Sequence, residues 1–195
     1  KITLIGAGLA GPLMATHLAK RGYSVDIYER RPDMRKAAQS AGRSINLALS
    51  IRGIHALKEV GFYDKIEPIT IPMTGRMIHD LNGETHLQPY GQKKDEMIYS
   101  VSRAQLNMDL LTLAEETGRV KIHFDHKLES ADLDKNELTF GEKIIQFNIV
   151  IGCDGSASPL RKEIIEKSKA DYVKKPLGHG YKELVIPPSK SGEFL

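Results

Sequence analysis

Six residues near the start of the chain, Gly6-Ala7-Gly8-Leu9-Ala10-Gly11, form a G-x-G-x-x-G run between an apolar segment and a helical pattern. Lys1 to Ile5 is apolar and β-branched, as a short buried strand requires. Leu9 to Arg21 carries Ala10, Leu13, Met14 and Leu18 at helical spacing. Pro12 is tolerated there, because amides in the first turn of a helix have no intrahelical acceptor to lose. Gly22 closes the helix, and Ser24 to Glu29 supplies a second strand. A strand, a glycine turn, a helix and a second strand make a βαβ unit, which needs a parallel sheet.

That order predicts a Rossmann-like α/β fold and gives each glycine a task. Gly6 permits the tight turn, Gly8 lets the backbone approach a pyrophosphate, and Gly11 lets helix and strand pack closely. The helix N-terminus adds free amides and the positive end of a dipole. Glu29, at the end of the second strand, is placed to accept hydrogen bonds from a ribose diol. Gly6, Gly8, Leu9, Ala10, Gly11, Tyr28, Glu29, Arg30 and Arg31 are therefore the candidate dinucleotide contacts. The acid at 29 disfavours a 2′-phosphate in this site. Arg30 and Arg31 pull the other way, or lie along an adenosine, or are simply solvated. The motif by itself does not choose between FAD and NAD, and a purely structural glycine turn is the bland alternative.

Further along, Arg30 to Arg43 is basic and without period, and is expected to be loop. Ser44 to Leu49 reads as a strand, and Ile54, Leu57 and Val60 mark a short helix ended by Gly61. Gly75 to Leu81 and Thr85 to Tyr90 flank Asn82-Gly83, a strong hairpin signal. Ser102-Arg103-Ala104-Gln105 predicts a capping box, followed by a helical face of Leu106, Leu110, Leu113 and Ala114. Val120 to Phe124 reads as a strand, and Asp134-Lys135-Asn136 as a turn between two short strands. Phe147 to Ile151 is nearly all apolar, the pattern of a strand buried on both faces. Ser158-Pro159 opens a helix, and Tyr181 to Ile186 reads as one more strand. There is no internal repeat.

Composition excludes several classes. A formal net charge of +3 over 195 residues is too small and dispersed for a nucleic-acid surface, though it suits anionic small molecules. The lone cysteine, Cys153, rules out an internal disulfide and a cysteine zinc site. The seven histidines are scattered without metal-ligand spacing, so no metal is expected. No apolar run is long enough to cross a membrane, and no signal peptide is expected ahead of the first strand. Both ends look cut, so a fragment of a longer polypeptide is expected.

A second motif favours FAD. Gly152-Cys153-Asp154-Gly155, between an apolar strand and the Ser158-Pro159 helix, resembles the Asp-Gly motif of the flavin-dependent aromatic hydroxylases. An ordinary strand-to-helix turn is the alternative for that motif alone. Longer strings are similar to the kynurenine 3-monooxygenase branch of that family. They are Gly42-Arg43-Ser44-Ile45-Asn46-Leu47-Ala48-Leu49-Ser50, Arg76-Met77-Ile78-His79, Pro89-Tyr90-Gly91 and Ser100-Val101-Ser102-Arg103. Asn107, Asp109-Leu110-Leu111-Thr112, His123-Phe124 and His126 belong with them, and the resemblance extends to Ile186-Pro187-Pro188.

The resemblance implies an FAD-dependent monooxygenase that uses NADPH and O2 to hydroxylate L-kynurenine at its 3-position. Arg76 and Tyr90 would hold the substrate carboxylate, while Arg103, Ala48, Leu128, Asp154 and Gly155 would line the cofactor. These types suit those roles, since an arginine pairs a carboxylate bidentately and a tyrosine adds a donor beside an apolar wall. No protein nucleophile or metal is called for, because the flavin carries the chemistry. The expected layout is an FAD-binding domain over 1–170, with a hairpin insertion at about 71–100, and the start of a truncated substrate-domain sheet over 171–195. The family's second half, with a Gly-Asp motif for the ribityl chain, is absent from the sequence, and the fragment is not expected to turn over alone. A cytoplasmic location is expected, although eukaryotic relatives carry a C-terminal membrane anchor. A homodimer remains open. The alternatives are a salicylate hydroxylase-like enzyme, a non-catalytic dinucleotide-binding module, and an NAD-dependent dehydrogenase.

The hairpin offers a geometric expectation. A strict two-residue Asn82-Gly83 loop would pair His79 with His86 and send Arg76 and Tyr90 to opposite faces. A loop that also takes Glu84 would pair Arg76 directly with Tyr90, and this longer loop is the one predicted.

Overall fold

The apolar residues from Ile2 to Ile5 form a strand with neighbours on both sides, as a parallel sheet requires of an interior strand. A computed structural model describes residues 1–36, 46–93, 96–178, 180 and 190. The expected strand at Tyr181 to Ile186, part of the basic loop before Arg43, and most of the 171–195 segment lie outside the described residues.

The chain opens with β1 (Ile2–Ile5), α1 (Ala10–Lys20), β2 (Val25–Tyr28), β3 (Asn46–Leu49), α2 (Ile51–Glu59) and α3 (Tyr63–Ile66). A 3-10 turn at Glu67–Ile69 leads to β4 (Ile71–Met73), β5 (Gly75–His79), β6 (Thr85–Pro89) and β7 (Ile98–Ser102). Then come α4 (Arg103–Glu116), β8 (Val120–His123), β9 (Ser130–Asp132), β10 (Glu137–Phe140), β11 (Lys143–Gln146), β12 (Val150–Gly152) and α5 (Pro159–Ser168).

Four strands in the order β12-β1-β2-β8 make the parallel sheet, with Ile5 opposite Tyr28 on one side and Gly152 on the other. Strand alternation divides its side chains between two cores. Ile2, Leu4, Val25, Ile27, Val120 and Ile122 face α1 and α4, where Ala15, Ala19, Leu111 and Ala114 meet them. Ile5 and Tyr28 face the other way, against Leu128, Leu138, Phe140, Phe147 and Leu160. That second face is covered by the antiparallel β9–β10–β11 sheet and by α5. Leu4 and Ile27 are fully buried, each worth about 1.5–3 kcal/mol over an exposed side chain. A third core joins α2, α3 and the β3-β7-β4 sheet to α4 through Leu57, Ile66, Val101 and Leu110.

Two helix starts follow their sequence signals. Ser158 Oγ accepts from the Arg161 amide at 2.9 Å, with Pro159 in the first turn of α5. Ser102 Oγ accepts from the Gln105 amide at 3.3 Å, which is half of the expected capping box. The return bond is not made, because Gln105 Nε2 donates to Asp109 Oδ1 instead.

Two expectations need correction. The apolar run from Phe147 is not one strand. β12 begins only at Val150 and is a partly exposed edge strand, with Ile149 52% exposed. Phe147 lies before a bend, packs in the core that Val150 also meets, and its amide donates to the Asn136 carbonyl at 2.9 Å. The hairpin register also differs from both alternatives considered. Arg76 pairs with Gln88, and His79 with Thr85, so neither His79–His86 nor Arg76–Tyr90 forms. The loop does hold three residues, but Leu81 rather than Glu84 is the third. Gly83 donates to the Asp80 carbonyl at 3.0 Å and takes a φ of +87°, while Asp80 donates to the Glu84 carbonyl at 2.9 Å. This is a turn followed by a glycine bulge, rather than a turn centred on Asn-Gly.

Candidate dinucleotide site

The site is built where the β1–α1 turn meets the β12–α5 turn. Gly6 has a φ of +99°, and a Cβ there would lie 2.6 Å from the Cys153 carbonyl oxygen and 2.8 Å from Asp154 Cα. A Cβ on Gly11 would overlap the Gly6 carbonyl oxygen. Both glycines are therefore required by contacts within the protein itself. Gly8 is different. Among the described residues nothing lies within 4 Å of where its Cβ would be, and its φ is not in the left-handed region. No described neighbour excludes a side chain there, and an open glycine at this position of the motif suits a close-approaching ligand.

Above that opening sits the N-terminus of α1. Leu9 occupies the N-cap position, no side chain caps the helix, and its first turn has no acidic residue. Ala10 is exposed. Uncapped amides and the positive dipole end thus face the space beside Gly8, which suits an anion.

Two buried side chains hold the loop from opposite sides. Glu29, 5% exposed, accepts the Ala7 amide through Oε2 at 2.7 Å. Its Oε1 accepts the Arg31 amide at 3.0 Å and Arg31 Nε at 2.8 Å. Burial works to raise the Glu29 pKa, but the Arg31 side chain and the amides of Ala7 and Arg31 outweigh it and hold the carboxyl below its ordinary value. Each carboxylate oxygen has two acceptor sites. Among the described residues Oε1 accepts two bonds and Oε2 one, so Oε2 keeps an acceptor site open. From the other side, Asn107 on α4, also 5% exposed, donates through Nδ2 to the Ala7 carbonyl at 3.0 Å.

The Asp154 turn contributes an unsatisfied group. Asp154 Oδ2 is buried and, among the described residues, has no hydrogen-bond partner. Such an atom is costly unless a ligand or water donates to it. Gly155 follows with a φ of +83°. Burial and then the Asp154 charge push the Cys153 thiol up, so the lone cysteine stays protonated at neutral pH.

The remaining expected contacts divide into groups. Tyr28 and Leu128 are buried, the tyrosine ring stacking on His123 at 4.5 Å and Phe140 at 4.7 Å. Only the backbone of Tyr28 reaches the loop, where its carbonyl accepts the Gly6 amide at 2.8 Å. Arg30 is exposed. Arg103 is exposed at the first position of α4, one turn before Asn107 and so on the same helical face. Ala48 is exposed on β3, opposite Ser100. Arg76 and Tyr90 lie away on the exposed hairpin, where Arg76 Nε donates to Gln88 Oε1 at 2.8 Å. Tyr90 follows the end of β6, and its amide donates to the Thr74 carbonyl at 3.0 Å, two positions from the Arg76–Gln88 pair. The direct Arg76–Tyr90 pairing expected from sequence is replaced by Arg76–Gln88.

Asn107 escaped the site residues expected from sequence. The signal was present: a short amide inside the buried stripe of Leu106, Leu110, Leu111 and Ala114. Among the described residues no cluster of three histidine, cysteine, aspartate or glutamate side chains could hold a metal, and no helix is long and apolar enough to cross a membrane.

Comparison with known proteins agrees with this geometry. Kynurenine 3-monooxygenase of Anopheles gambiae is 45% identical over 99% of this chain, which covers 41% of that relative. The Myxococcus xanthus enzyme of the same name is 43% identical over 99% of the chain, covering 43% of its length. The chain thus spans about two fifths of the curated relatives it matches. Among solved structures, PqsL of P. aeruginosa superposes with a TM-score of 0.70 at 18% identity, covering 90% of this chain and 47% of that one, a likeness of fold alone. The FAD binding domain family matches residues 1–174, and with the glycine turn, Glu29 and the Asp154 turn gathered at one opening, the chain belongs to that family.

Proposed function

We propose that this chain is the FAD-binding part of a flavin-dependent monooxygenase that converts L-kynurenine to 3-hydroxykynurenine with NADPH and O2. The observation that carries the FAD reading is Gly8: among the described residues nothing fills the space where its Cβ would be, and it leads into the uncapped N-terminus of α1. The donor set fits FAD. Gly8, Leu9, Ala10 and the α1 amides would receive the diphosphate, and Glu29 Oε2 a ribose hydroxyl. Arg30 and Arg103 would reach it as cations, Arg31 would act through Glu29, and Ala48, Leu128, Asp154 and Gly155 would line the flavin side. FAD, when bound and reduced, supplies the oxygen-activating chemistry.

The substrate reading rests on the similarity to kynurenine 3-monooxygenases over almost the whole chain. Arg76 on β5 and Tyr90 just after β6 would pair the amino-acid carboxylate with a guanidinium and a phenol, with Gln88 orienting the arginine. On this reading residues 1–170 form the FAD-binding domain, the hairpin is an insertion carrying substrate contacts, and 171–195 begins a substrate-side sheet. A cytoplasmic position for this part follows from the need for NADPH.

NADPH oxidation by the complete protein is the test. Flavin absorbance in the purified protein and stimulation of NADPH oxidation by L-kynurenine are expected. Stimulation by salicylate but not by L-kynurenine would move the assignment to another aromatic acid hydroxylase. A colourless protein that takes up no added FAD would leave a binding module.

A further inference from the structure

We infer that Asn107 is a positioning residue for the diphosphate: it fixes the Ala7–Gly8 peptide so that the Gly8 N–H faces out of the protein. This rests on the FAD reading above and adds to it a residue from α4, a helix far from the glycine motif in sequence. The Ala7 carbonyl and the Gly8 N–H belong to one peptide plane, and no peptide among the described residues is cis. In a trans peptide these two groups point in opposite directions. Asn107 Nδ2 donates to the Ala7 carbonyl at 3.0 Å from the buried side, so the Gly8 N–H is turned away from α4. The preceding peptide is fixed as well, because Glu29 Oε2 takes the Ala7 N–H at 2.7 Å. Neither plane is free to rotate.

The alternative orientation would harm anion binding. With the Ala7–Gly8 plane turned over, a carbonyl oxygen would face the phosphates in place of a donor. The site beside Gly8 is open enough for either orientation, since among the described residues nothing lies within 4 Å of its Cβ position. Steric contacts at Gly8 therefore do not choose between them, and Asn107 does. Its neighbours on the helix, Leu106, Leu110, Leu111 and Ala114, are apolar and buried. A primary amide in such a stripe is costly unless it is hydrogen-bonded, and the acceptor it meets is the loop.

The test is titration of FAD, and separately of ADP, into the flavin-free complete protein. Asn107→Leu keeps the shape and removes the donor. It is expected to weaken both ligands in parallel by about tenfold, the worth of one charge-assisted hydrogen bond. If that variant does not fold, Asn107→Ser, whose hydroxyl is too short to reach the loop, is expected to show the same parallel loss. Ala114→Gly is the control: it weakens the same helix without touching the loop, and is expected to lower the unfolding midpoint while keeping both affinities. An Asn107 variant that binds FAD and ADP as tightly as wild type overturns the inference. So does an equal loss in Ala114→Gly, because the effect would then be general instability. Failure of the wild-type protein to bind either ligand removes the FAD reading itself, a separate outcome.

Discussion

The glycine turn and the β5–β6 hairpin are built in opposite ways. Around Ala7, the N–H and the C=O are each held by a buried side chain from elsewhere in the fold, Glu29 just after β2 and Asn107 on α4, while the Cys153 carbonyl lies where a Cβ on Gly6 would be. The hairpin is held by its own ladder, all five residues of β6 are exposed, and Arg76 is oriented by one cross-strand amide. The first region is rigid before a ligand arrives. The second presents side chains on a surface and leaves their final arrangement to what docks there. Cofactor affinity should thus be tied to folding, and substrate affinity separable from it.

The sharpest way to break that comparison is inside the glycine motif. Gly11→Val should abolish the soluble fold, since even a Cβ overlaps the Gly6 carbonyl; a destabilisation above about 3 kcal/mol is expected in urea unfolding. Gly8→Ala should leave the unfolding curve unchanged yet weaken FAD about a hundredfold, the worth of two lost amide bonds to phosphate. Equal behaviour of the two variants would refute the claim that one glycine serves the protein and the other the ligand.

On the hairpin, Arg76→Ala should raise the KM for L-kynurenine about thirtyfold in the complete enzyme while stability moves by less than about 0.5 kcal/mol. A large drop in Tm would show that the hairpin is part of the core after all. Glu29→Gln should weaken FAD by about tenfold through loss of a charged acceptor. Glu29 also carries a pH signature. Its folded pKa lies below the ordinary 4.5, so its contribution is fully present above that value and is lost as pH falls through the folded pKa. The stability advantage of wild type over Glu29→Gln should therefore hold at neutral pH and vanish in acid. The smallest effect is expected for Gln88→Ala, a few-fold rise in KM as Arg76 loses its one oriented contact.

Much of the cofactor region was legible because its signals are local. The strand, the glycine turn, the α1 pattern and Glu29 all sit within one βαβ unit, and Ser158-Pro159 marks α5 by capping chemistry alone. The hairpin register was not legible. Asn-Gly serves equally as the centre of a two-residue turn or as the last two residues of a three-residue loop, and the choice falls to bonds such as Asn82 Oδ1 accepting the Glu84 amide at 3.1 Å. The Phe147 run was misread for a similar reason. Apolar content fixes burial but not strand extent: Phe147 and Val150 meet the same core, yet a bend at Asn148-Ile149 separates them. Asn107 needed three dimensions, since its partner is in another element.

The abutment of Gly6 on Asp154 has a consequence for how such proteins diversify. Because β1 and β12 are locked in register at Ile5 and Gly152, the two turns form a hinge post to which both ends of the intervening polypeptide are fastened. Whatever is spliced between them departs from and returns to the same point. A lineage can then exchange the exposed ribbon and keep an inherited cradle intact.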